Sequence, residues 1–64
     1  MAPPSGRSEI LLEIVVRGAF AKATAIDPAT GLEASVVGPA GASPAALGDA
    51  ARRKLEYLIG KRNS

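Results

Sequence analysis

The sequence predicts an α+β domain: a three-stranded antiparallel β-meander with one C-terminal helix packed on one face of the sheet (β-β-β-α). Three observations carry this expectation. The stretch EILLEIVVR is dense in Leu and β-branched residues at strand length. Two turn signals, Arg17-Gly18 and DPATG, separate it from two further strand-like stretches. After them, Ser43-Pro44 opens a segment whose apolar residues recur at helical spacing.

The first strand covers residues 9–17. Taking Arg17-Gly18 as a two-residue hairpin loop sets Val16 opposite Ala19 and Glu13 opposite Lys22, an ion pair that helps hold the register. AFAKATAID returns as the central strand. In DPATG the Asp27 carboxylate can accept from backbone amides, Pro28 presets φ, and Gly31 adopts a left-handed conformation at low cost. LEASVVG is the third strand, ended by Gly38 and Pro39. Ser43 then supplies a capping hydroxyl, and Pro44 occupies the first helical position, where no amide bond is lost. Leu47, Ala51, Leu55, Leu58 and Ile59 form one stripe, and Asp49 stands four residues before Arg53 on the other side. Lys61 and Arg62 suit the negative end of the helix dipole.

Strand parity assigns Ile10, Leu12, Ile14, Val16, Ala21, Ala23, Ala25, Ala34 and Val36 to the core face. Alanines along the central strand leave room for a helix to lie close across the sheet. The opposite face carries Leu11, Val15, Phe20, Ile26 and Val37 around Glu13, Lys22, Thr24, Glu33 and Ser35. One helix covers one face, so this second apolar set is the candidate interaction surface. The first strand is also an edge with few charges and no proline, which offers pairing of edges as another route to a dimer.

Size and composition narrow the function classes. In 64 residues we expect a disordered tail over 1–8 and a single domain over 9–62. A core this small supplies no more than about 3 to 5 kcal/mol, so a disulfide, a metal or a partner is the usual supplement. With no cysteine and no histidine, disulfides are excluded and an ordinary zinc site nearly so. A homo-oligomer or an unknown protein partner remains. No metal, no cofactor and no membrane is expected, and the absence of a signal-like or spanning segment points to the cytoplasm. Thirteen alanines and seven glycines suggest a GC-rich bacterial coding sequence.

Other chemistry is thinly supported. The inventory offers neither a histidine nor a cysteine as base or nucleophile, and the one carboxylate pair in view, Glu13 and Glu33, sits on a flat sheet face beside Lys22, so no enzymatic activity is expected. The loop from Gly38 to Ser43 leads into a helix N-terminus, as phosphate loops do, but no lysine follows the serine and Pro44 removes an amide donor. The net charge is +2, concentrated toward the final helix, where Arg52, Arg53, Lys61 and Arg62 are the possible nucleic-acid contacts of an alternative reading.

Two resemblances add to this. Ser43, Ala50, Ala51, Leu55 and Leu58 follow three strands in a pattern that resembles the C-terminal part of a double-stranded RNA-binding domain, which implies RNA contact. That family's phosphate-gripping lysines are replaced here by Pro44 and Ala45, and its first helix is missing. Taken whole, the runs AIDPATGLEASVVGPAGAS and KLEYLIGKR resemble a small bacterial domain family of unknown function. This likeness implies a shared fold over about residues 9–62 and carries over no catalytic or binding residue.

Overall fold

The structure, a computed structural model, describes residues 9–63, so the tail expected over 1–8 lies outside the described residues. Strands β1 (Leu11–Arg17), β2 (Phe20–Ile26) and β3 (Glu33–Pro39) form one antiparallel sheet in the order β1-β2-β3, and helix α1 (Pro44–Asn63) follows. The β-β-β-α architecture is the one the sequence predicts.

The first hairpin turns one residue later than the sequence suggests. Its loop is Gly18-Ala19, so Arg17 faces Phe20, and Glu13 faces Thr24 instead of Lys22. The reason lies in the backbone: Gly18 has a φ of 55°, and two-residue hairpin loops need positive φ at their first central position, which glycine adopts and arginine resists. Moving the loop by one residue shifts the pairing by two, and a two-residue shift leaves every side chain on its predicted face.

The second turn is built around Asp27, which is almost completely buried. Its carboxylate accepts from the Ala29 amide at 3.1 Å and from the Thr30 hydroxyl at 2.9 Å, while its carbonyl accepts from the Gly31 amide at 2.8 Å. Gly31, at φ 77°, turns the chain back so that the Asp27 amide meets the Leu32 carbonyl at 2.9 Å and the register of β3 is set. β3 runs one residue beyond the expected stop, because Pro39 sits on an edge strand where its missing amide costs no ladder bond and Ala40 donates to Ala19 at 2.9 Å instead.

At the start of α1 the Ser43 hydroxyl accepts from the Ala46 amide at 3.3 Å, and its carbonyl accepts from Leu47 at 3.0 Å. The predicted stripe is the buried one: Ala51 and Leu55 are fully buried, and Leu47, Leu58 and Ile59 pack around them. They rest on Ala23, Ala25 and Ala34, whose methyl groups keep the helix close to the sheet. At Gly38 the approach is closest, since a Cβ there would stand 2.8 Å from Leu47 Cδ2.

One part of the predicted core is not core. Leu12, Ile14 and Val16 occupy the helix-side face as expected, yet they remain 43%, 38% and 60% exposed. The helix lies over β2 and β3, where the alanines are, and meets β1 far less; one point of approach is Gly48, beside Leu12 Cδ1. A single helix, about 10 Å across with its side chains, spans about two strands at a spacing of about 4.8 Å.

Candidate functional site

The sheet face away from the helix is paved in short rows by the register. Leu11 stands beside Ile26, Val15 beside Lys22 and Val37, and Arg17 beside Phe20 and Pro39. Phe20 and Val37 are 63% and 64% exposed, Leu11 and Val15 are exposed as well, and Ile26 is half-buried. All five residues of the predicted interaction surface therefore share one face, and no element among the described residues covers it. Three of them, Val15, Phe20 and Val37, line an open depression of about 530 Å³ together with Glu13, Arg17, Lys22 and Thr24, while Leu11 and Ile26 lie outside it. Thr24 and Ser35 satisfy each other through their hydroxyls at 2.9 Å, so the middle of this face is polar but paired.

The two edges of the sheet differ. On β3, the Lys54 ammonium reaches over from the helix and donates to the Ser35 carbonyl at 3.0 Å. Pro39 closes the end of that strand. β1 has no such cover: all seven of its residues are exposed, on both faces at once. The Asp27–Leu32 and Ala40–Ala19 bonds show that odd-numbered residues of β2 bond to β3, so even-numbered ones bond to β1. By the same alternation, the amides and carbonyls of Leu12, Ile14 and Val16 point outward from the sheet. Sequence reasoning recognised β1 as an edge and missed the exposure of its helix-side residues. The signal was present in the alanines, which draw the helix to β2 and β3.

The basic residues of the alternative reading are exposed on α1 but do not share a face. Successive helical positions turn by about 100°, so Arg52, Arg53, Lys61 and Arg62 spread around the helix axis. Arg53 is engaged by Asp49 at 3.1 Å. Glu13 and Glu33 stand on opposite edge strands with β2 between them, about two strand spacings apart, too far to share a proton. Among the described residues no three acidic side chains converge on a point that could hold a metal ion. At the helix start the Ala46 amide is taken by Ser43, so the Gly38 to Ser43 loop is used as a connector and cap.

A family model described as a domain of unknown function, DUF6898, matches residues 7–62, a span that includes all three strands and nearly the whole helix. The chain belongs to this family. No curated protein and no solved structure matches it. In this DUF6898 domain, then, the surface with the most to offer a ligand is the open sheet: an apolar face, an exposed edge strand, and charges at Glu13, Arg17 and Lys22 that are distributed among apolar groups without forming a catalytic cluster. No helix among the described residues is long and apolar enough to cross a membrane.

Proposed function

We propose that this DUF6898 domain is a protein-interaction module that self-associates through its open sheet, with Leu11, Val15, Phe20, Ile26 and Val37 as the apolar part of the docking surface. The observation that carries the reading is the exposure of large apolar side chains on two faces of a domain whose own core is built largely from alanine. Contiguous apolar surface of this kind on a small domain marks an association site, and a core of one fully buried leucine among alanines gains from added burial. The same reading assigns the chain to binding and not to catalysis, and to the cytoplasm, where a cysteine-free domain needs no disulfide.

The test is sedimentation equilibrium across the low to high micromolar range, with a parallel low-salt gel shift against duplex RNA and DNA. A mass that rises from monomer toward dimer with concentration, and no nucleic-acid shift, is the expected result. A monomer at every concentration overturns self-association. A shift that weakens steeply with salt transfers the function to the cations of α1.

A further inference from the structure

We infer that the partner of β1 is β1 of a second copy, paired antiparallel edge to edge about a two-fold axis at Val15, so that two three-stranded sheets become one continuous sheet. This rests on the self-association reading above but sets the seam at the β1 edge, with Val15 in it and Phe20, Ile26 and Val37, on β2 and β3, outside it.

Four features of the edge lead there. The outward amides and carbonyls of Leu12, Ile14 and Val16 form an open template for another strand, with no proline, bulge or inward charge to blunt it. The opposite edge is blunted, by Lys54 on Ser35 and by Pro39, so the sheet has one end at which it can grow. The helix lies over β2 and β3, which leaves room beside β1 for a second protein. Lastly, the strand is its own complement. In the sequence EIVVR, Glu13 and Arg17 stand symmetrically about Val15. An antiparallel copy centred on Val15 places each Glu13 directly opposite the Arg17 of the second copy, on the face away from the helices.

That register is selected over its neighbours. Outward-facing groups must meet outward-facing groups, so only shifts that pair even-numbered with even-numbered residues form bonds. Centring the pair on Glu13 sets the two carboxylates against each other, a destabilising contact. Centring it on Ile14 sets Leu11 against Arg17 and Glu13 against Val15. Centring it on Val15 pairs both charges, sets Val15 against itself, and joins Ile14 to Val16 of the second copy through about four backbone hydrogen bonds. On the helix side, Ile14 and Val16, exposed in the monomer, gain apolar neighbours across the seam.

The experiment uses charge reversal and a single introduced thiol. Glu13→Arg alone sets an arginine against Arg17 at both crossings of the seam, and Arg17→Glu alone sets two pairs of glutamates together; each is expected to weaken the homodimer about tenfold or more. Mixing the two variants restores both pairs, so a heterodimer is expected at concentrations where each variant alone is monomeric. A variant that had merely lost its fold would not recover on mixing. In a chain without cysteine, Val15→Cys is expected to give a covalent dimer on air oxidation, because residues opposed across the axis at a non-hydrogen-bonded position lie about 4.5 Å apart at Cα, within disulfide range. Phe20→Cys, more exposed than Val15 but on β2, is expected not to. If the wild type dimerises but the charge variants do so as well, with no preference on mixing, or if Phe20→Cys cross-links in place of Val15→Cys, the seam is face to face and edge pairing is wrong while self-association stands. A monomeric wild type removes both.

Discussion

Leu55 is the residue on which the fold depends most directly. It is the one large side chain that is fully buried among the described residues, and it rests on Ala23, Ala25, Ala34 and Ala51. Leu55→Ala removes three carbons from that contact and leaves a cavity. Leucine-to-alanine changes at buried sites cost about 2 to 5 kcal/mol, with the larger losses where the surroundings cannot collapse. Here the floor consists of alanine methyl groups on sheet backbone, which have no rotamers with which to fill space, so we expect about 3 to 5 kcal/mol. That is comparable to the whole contribution of a core of this size, about 3 to 5 kcal/mol, and the variant is expected to be largely unfolded at 25 °C. Far-UV circular dichroism with urea titration, at fixed protein concentration because association shifts apparent stability, reads the loss, and Tyr57→Ala, at 66% exposure, is the control with an expected change within about 0.5 kcal/mol. A cooperative Leu55→Ala transition displaced by less than about 1.5 kcal/mol would refute the account of a core organised on this one side chain.

Other consequences can be checked by the same titration. Asp27→Ala removes a nearly buried carboxylate that accepts from the Ala29 amide and the Thr30 hydroxyl in an otherwise exposed turn, at an expected cost of about 1 to 3 kcal/mol, while Asp27→Asn keeps an acceptor oxygen and loses less. Glycines at positions 31 and 60 should respond oppositely to alanine: Gly31, at φ 77°, is expected to lose about 1 kcal/mol, whereas Gly60, helical with open space at its Cβ position, is expected to gain about 0.5 to 1 kcal/mol, read as melting temperatures moving in opposite directions. Ala23→Leu drives extra carbons into the helix–sheet contact and is expected to cost about 1 to 3 kcal/mol; an unchanged midpoint would mean that the alanine floor does not set the height of the helix.

Most of the fold is local in origin and was legible. The meander follows from the turn chemistry of Asp27 and Gly31, the helix start from Ser43 and Pro44, and the buried stripe from the spacing of Leu47, Ala51, Leu55, Leu58 and Ile59. Each is decided within a few residues of chain. The assignment of side chains to faces survived an incorrect loop, since moving the first turn onto Gly18-Ala19 shifted the pairing by an even number of residues. The partner of Glu13 did not survive it: register is a relation between strands, and one turn residue resets all its pairs.

What the sequence determined by itself is which face each strand residue points to and, to within about two residues, where each element lies, because parity, propensity and capping act along the chain. What only the tertiary structure decided is how far across the sheet one helix reaches. Steric fit draws it onto the alanines of β2 and β3, and its width ends there, so Leu12, Ile14 and Val16 carry a core pattern and yet stand open to solvent. Periodicity separates one face of a strand from the other, but it carries no measure of the lateral span of what is packed on that face, and the bare β1 edge is the consequence.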